Sequence, residues 1–168
     1  MGAPNERWPR WILSSIAKYL NANVAGPASL PFLVEGIDDR TQEFEEATDR
    51  AECRINGPWT SELSNGYWRV WVDINVVLTV NMDGQVKNAY RLDELAGKFL
   101  NALDTVISTL RTGDIADDSQ NDGSLLGCLH PRSGKNDSVR VIHFGQINNT
   151  DRIRQAQVDA RYVMYLTV

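Results

Sequence analysis

The side chains able to do chemistry are few in this chain of 168 residues, and they do not cluster. The two histidines, His130 and His143, fall outside HExxH, HxH or any comparable ligand spacing, so no metal site is expected. The two cysteines, Cys53 and Cys128, lie far apart with no CxxC neighbour and read as free thiols. Cys128-Leu129-His130 puts a thiol and an imidazole two positions apart, but nucleophilic catalysis also needs a group that orients the base, and none adjoins them. Gly113, Gly123, Gly127 and Gly134 are scattered, without the strand-to-helix setting that cradles a phosphate. There remain two strand carboxylates, Asp73 and Asp159, each flanked by apolar residues. On a half-buried sheet they point away from the core and make polar contacts on its second face. No catalytic set, cofactor or metal is therefore expected, and the chain reads as non-enzymatic.

The elements that would position these groups follow from hydrophobic period. Trp8, Ile12, Ile16, Tyr19 and Leu20 recur at helical spacing, with Pro9 suited to a first turn, and this helix is expected to end near 23–27. From Ala51 the period becomes two. Ala51, Cys53, Ile55, Trp59 and Leu63 share one parity, with Gly57-Pro58 as an expected bulge or edge feature. Ser64-Asn65-Gly66 supplies a tight hairpin turn, and the returning strand carries Trp68, Val70, Val72, Ile74, Val76, Leu78 and Val80 on one face. Leu92, Leu95, Ala96, Phe99, Leu103, Val106, Ile107 and Leu110 mark one face of a helix of about six turns lying across the sheet. Residues 111–138 lack apolar periodicity and read as a long flexible loop. A strand over 139–147, a turn over 148–151 and a final strand with Ala156, Val158, Ala160, Tyr162, Met164, Leu166 and Val168 on one face complete the chain. The expectation is one α+β domain: a mainly antiparallel sheet of about four strands in two long hairpins, packed against one long helix plus an N-terminal helix.

Composition narrows function. The net charge is −5, and residues 35–52 alone carry eight acids against two arginines, so the rest of the chain is close to neutral. A basic duplex-binding face is not expected. No run approaches the length of a membrane span, and the first ten residues lack the apolar core of a signal peptide. Strands of thirteen or more residues reach about 43 Å at roughly 3.3 Å per residue, against a radius of gyration near 15 Å for a domain of this size. Such strands expose edges, and pairing with another subunit is a natural use for them. Trp71 on the polar parity of its strand adds an outward aromatic. Trp71, Asp73, Asn75, Asp159 and Arg161, which alternate outward on the two longest strands, are the expected subunit contacts.

The phrases YWRVWVDINVVLTV, YRLDELAGKFLNALDTV and QAQVDARYVMYLTV, in the order helix, long hairpin, helix, closing hairpin, resemble the tail terminators and related neck proteins of tailed bacteriophages over Trp8 to Val168. The resemblance implies a structural virion protein, assembled in the host cytoplasm. Its homo-oligomeric ring, a hexamer in that family, caps the tail tube and joins it to the head-side connector. It also implies partners in the tail tube or sheath and in the connector or stopper, and DNA that passes through without specific binding. On that reading Asp38, Asp39, Glu43, Glu45 and Glu46 are candidates to face the channel and repel phosphates. Asp117, Asp118, Leu125, Leu126 and His130 are candidates to meet a partner from the loop. The alternatives are another neck component, or a cone-shaped pocket protein resembling nuclear transport factor 2, with Asp73, His143 and Tyr162 as pocket residues.

Overall fold

A computed structural model of the chain describes residues 6–81, 90–112, 119–132, 139–146 and 153–167. Its centre is the pair of long alternating strands. In chain order the elements are helix α1 (Trp8–Leu20), strand β1 (Phe32–Val34), a short helix α2 (Gln42–Glu46), β2 (Asp49–Ser64), β3 (Tyr67–Asn81), helix α3 (Arg91–Leu103), β4 (Ile107–Leu110), β5 (Leu125–Pro131), β6 (Arg140–Gln146) and β7 (Ile153–Thr167). The protein is α+β, with a curled mixed sheet of seven strands in the order β1-β2-β3-β7-β5-β4, and β6 also paired to β7. β3 lies antiparallel to both β2 and β7, in unbroken register with β7 from Tyr67↔Thr167 to Asn81↔Ile153.

The period-two pattern has its expected consequence. Val70, Val72, Ile74, Val76, Leu78 and Val80 of β3 are fully buried, as are Ala156, Val158 and Tyr162 of β7, while Ala160, Met164 and Leu166 are nearly so. α1 and α3 cover this inner face. α1 contributes Trp8, Trp11, Ile12, Ile16 and Leu20, and α3 contributes Leu92, Leu95, Ala96, Phe99 and Leu103. α1 runs on into a π-helical turn, Asn21–Ala25, closed by the Gly26 amide donating to the Asn21 carbonyl at 2.7 Å, and so ends inside the expected window. The Tyr162 hydroxyl, buried among these side chains, lies 2.5 Å from the Leu103 carbonyl and 2.9 Å from that of Thr105, tying the end of α3 to β7.

Three expectations are corrected. The sheet has seven strands, not about four, because β1 and β4 are too short to show a period; β1 has three residues and pairs in parallel with β2. α3 has thirteen residues, not about six turns. Leu103 and Ile107 are both buried, a spacing that suits one helix face. The chain nevertheless leaves the helix at Asp104, and Val106, Ile107 and Thr109, β-branched, continue as extended chain. The segment 111–138, expected to be a loop, contains β5. Its alternation is hidden by Gly127, where a Cβ would come within 2.9 Å of Leu166 Cδ2 and 3.2 Å of Met164 Sδ, so close approach to β7 is the reason for the glycine. The expected turn over 148–151 lies outside the described residues. No described helix is long and apolar enough to cross a membrane.

The two ends of the sheet are finished differently. At β4 the Ser15 hydroxyl of α1 accepts from the Leu110 amide at 2.9 Å, covering the edge. At the other end β1 shields β2 only over Ala51 to Cys53, extended by the Glu35 amide donating to the Cys53 carbonyl. Beyond Cys53, no described strand pairs with the outer edge of β2. Since Ala51 and Cys53 turn their peptide groups toward β1, the alternation of the ladder assigns Arg50, Glu52, Arg54 and Asn56 to β3. Past the bulge at Gly57-Pro58 the assignment shifts by one. Trp59 and Ser61 then bond β3, and Thr60 and Glu62 present N–H and C=O to the open edge.

Candidate functional site

On the opposite, outer face of the sheet the odd-numbered residues of β3 and β7 meet in register, and α2 reaches this face only at the Arg50 end of β2, where Arg50 donates to the Glu45 carbonyl at 2.9 Å. Near its middle, Asn75 faces Asp159 and Asp73 faces Arg161. Arg161 grips Asp73 with two parallel bonds, Nε to Oδ1 at 2.6 Å and Nη2 to Oδ2 at 2.9 Å, the fork geometry that suits a carboxylate. Asn56 donates to Asn75 at 3.0 Å, Asn75 donates to Asp159 Oδ1 at 2.6 Å, and Arg140 of β6 donates to Asp159 Oδ2 at 3.2 Å. The polar centre of this face is thus internally satisfied across four strands.

Toward the β2–β3 turn the same face becomes aromatic. Trp59 pairs directly with Trp71 and stacks on it, ring centroids 6.2 Å apart. The Arg69 guanidinium lies over Trp71 at 5.1 Å from the ring centroid, giving a three-layer stack of cation, indole and indole. Tyr67 stacks on Tyr165 at 6.0 Å. Val163 and His130 continue the row from Trp71 across β7 and β5. Trp59 is 42% exposed, Tyr67 41% and Tyr165 51%, alongside the exposed Leu63 at the hairpin tip. Aromatic residues and arginine are the types enriched where protein surfaces meet.

All five expected contact residues, Trp71, Asp73, Asn75, Asp159 and Arg161, are brought together on this face. Trp59 and Leu63 were expected on the core parity with Ala51 and Cys53, and this is corrected. At the Gly57-Pro58 bulge, three steps along β2 from Asn56 to Trp59 oppose two along β3 from Asp73 to Trp71, which flips Trp59 outward. A second register shift between Glu62 and Ser64 leaves Leu63 exposed beside the turn. Gly57 holds φ +98°, and Gly66 supplies the positive φ of the turn. The signal for Trp59 was present in the Gly-Pro pair, because one inserted residue inverts every side chain after it. For Arg69, Tyr67, Tyr165 and Val163 the signal was strand parity, since they share the outward parity of Trp71 and Arg161.

The acidic candidates divide. Asp38, Asp39, Glu43 and Glu46 line an open cleft of about 760 Å³ between β1 and α2, together with Pro31, Phe32, Leu33 and Phe44. Glu45 turns away to Arg40, which also meets Glu52 at 2.7 Å. The Arg40 bond holds the Glu45 carboxyl below its ordinary range, and the bonds from Glu45 and Glu52 raise Arg40. Asp38 accepts from the Val34 amide at 2.8 Å. Of the loop candidates, Asp117 and Asp118 lie outside the described residues, and Leu125, Leu126 and His130 sit on β5 instead of a loop. Leu125 is exposed and His130 shares the outer face, while Leu126 packs against the core.

Asp73, His143 and Tyr162 do not form a common pocket. Asp73 faces outward against Arg161, and Tyr162 is fully buried on the inner face of the same sheet. His143, half exposed, approaches Asp93 of α3 at 3.7 Å. Burial pushes Tyr162 above its ordinary 10.0 and the Cys53 thiol up to about 12, which makes both inert at neutral pH. Among the described residues no group of His, Cys, Asp and Glu could hold a metal ion.

No family model and no curated protein matches the chain. One solved structure overlaps 99% of this chain and 97% of its own length, at 10% identity and a TM-score of 0.47, which is too distant to carry an argument about fold or function.

Proposed function

We propose that the chain is a structural, self-assembling protein and, following the resemblance in its sequence, a bacteriophage tail terminator or closely related neck component. In that role copies form a ring, of about six in that family, between the tail tube and the head-side connector, and DNA passes through without specific binding. The observation that supports self-assembly best is the β2–β3 hairpin. Its distal half combines an outward aromatic row, Trp59, Trp71 and Tyr67, continued by Tyr165 of the neighbouring β7, with a β2 edge that no described strand pairs. Natural sheets blunt or cover edges they do not use, as Ser15 does at β4. Here the Gly57-Pro58 bulge interrupts the edge but leaves Trp59 to Ser64 open beside the aromatic row. The polar ladder of Asp73, Asn75, Asp159 and Arg161 holds β3 and β7 in register on this face.

The test is light scattering on a size-exclusion column across protein concentrations, followed by negative-stain imaging of the largest species. Rings of about six copies with a central hole are expected. A monomer at every concentration removes the ring reading.

A further inference from the structure

We infer that the Arg69–Trp71–Trp59 stack at the end of the β2–β3 hairpin docks into the acidic cleft between β1 and α2 of a second copy of this chain. This names the partner surface within the self-assembly reading and rests on it. It also gives Asp39 and Glu43 a role between subunits in place of the channel-facing role anticipated from the sequence.

Charge complementarity commits the occupant. Arg69 is exposed and stacked on Trp71, and no carboxylate pairs with it among the described residues. The cleft is lined by four carboxylates and no basic side chain, and none of the four has a cationic partner among the described residues: Asp38 accepts from the Val34 amide and Glu46 from the Gln42 side chain, while Asp39 and Glu43 are left for a partner. Most arginines near the acidic segment are already engaged: Arg40 with Glu45 and Glu52, Arg50 with Glu45, Arg54 with Glu35 and Glu52, and Arg91 with Asp49. The uncompensated charges of opposite sign therefore stand at two separate places.

Shape agrees. Phe32, Phe44, Pro31 and Leu33 give the cleft an apolar lining for an indole, with the acids beside them. Its volume falls in the range of about 300–1,000 Å³ that accommodates a drug-sized group, so a stacked indole and guanidinium can enter it. The stack is assembled before any contact, which reduces the ordering cost of binding. Placement excludes self-docking within one copy. Phe32 pairs with Ala51, and Trp59 lies eight residues further along the same strand, about 25 Å away at roughly 3.3 Å per residue. Two non-overlapping, complementary patches on one chain define a head-to-tail contact, the kind that closes into a ring when the rotation permits.

The experiment is sedimentation velocity on the full chain across concentrations and at two salt levels. Wild type is compared with Arg69→Glu, with Asp39→Lys/Glu43→Lys, with their equimolar mixture, and with one chain carrying all three changes. Each reversal alone is expected to weaken self-association at least about tenfold, with added salt weakening the wild type. The mixture is expected to recover assembly, because the acidic knob of one variant meets the basic cleft of the other while the remaining knob and cleft are wild type. The triple variant recovers it too, and recovery shows that the variants are folded. If the wild type assembles and both reversals assemble equally well, the contact is wrong while the ring reading stands. Loss in each variant without recovery in the mixture also overturns it. A wild type that remains monomeric overturns this contact and the ring reading together.

Discussion

Replacing Tyr162 by Phe removes one oxygen from a fully buried site and leaves the ring in place. The hydroxyl lies 2.5 Å from the Leu103 carbonyl and 2.9 Å from that of Thr105, at the junction where α3 stops and β4 begins. Phe cannot donate, so both carbonyls lose this partner, at a cost of about 1–3 kcal/mol. For a chain of this size each kcal/mol is worth about 2–4 °C, so Tm falls by about 2–12 °C in differential scanning calorimetry. The alkaline limb gives a second readout. Burial first, then the nearby Tyr19 and Asp104, raise the Tyr162 phenol above 10.0. The folded state thus favours the protonated phenol. Its stabilisation is complete below pH 10 and is lost as pH rises, with a slope of up to about 1.4 kcal/mol per pH unit. Burial of Cys53 acts in the same sense from 9.0 to about 12. Tyr162→Phe is expected to retain the cysteine part of that slope and lose the tyrosine part. A variant with unchanged Tm and an unchanged alkaline limb refutes the brace.

The other predictions concern the hairpin and the covered edge. Gly57→Ala places a Cβ 3.0 Å from the Trp59 amide nitrogen and 3.1 Å from the Trp71 carbonyl at φ +98°, and should cost about 1–3 kcal/mol in urea unfolding while reducing self-association, because the bulge directs Trp59 outward. Thr60→Pro removes an N–H assigned to the open edge and should change the monomer's stability little. Ser61→Pro removes one assigned to the β3 ladder and should cost about 1–3 kcal/mol; equal melting curves for the two contradict the register. Ser15→Ala strips the hydroxyl that accepts from the Leu110 amide and should destabilise by about 1–2 kcal/mol in the same unfolding assay.

How much of this could be read from the chain depends on which force shaped each segment. β3 and β7 were legible because both are buried on one face for fifteen residues, and burial writes period two directly into residue choice. α1 was legible for the same reason at period 3.6. β1, with Phe32, Leu33 and Val34, is held by pairing with β2, and three residues cannot display a period. β4 was absorbed into the preceding helix because Leu103 and Ile107 keep the spacing of a helix face across a break. β5 was hidden because Gly127 packs as a missing side chain against Leu166 and Met164.

The outer face divides in a way that strand parity alone does not reveal. Trp71, Asp73, Asn75, Asp159 and Arg161 were all legible as outward residues, but they are not equivalent. Asp73 and Arg161 neutralise each other, and Asn75, Asp159 and Arg140 form a closed set of bonds. A polar group already paired gains little from a partner and loses water on being covered, so these four candidates set register and shape more than binding energy. Trp71 differs because its row is exposed, stacked and topped by a guanidinium that no described carboxylate meets. Interface energy concentrates in such aromatic and arginine groups, with the neighbouring contacts serving mainly to exclude water. The bulge at Gly57-Pro58 is what assembles the row, since without the inserted residue Trp59 would stand on the inner face and Trp71 would be a lone outward indole. One local break in the alternation thus converts an ordinary outward tryptophan into the centre of a stacked aromatic cluster, and the contact role proposed for the face turns on that break.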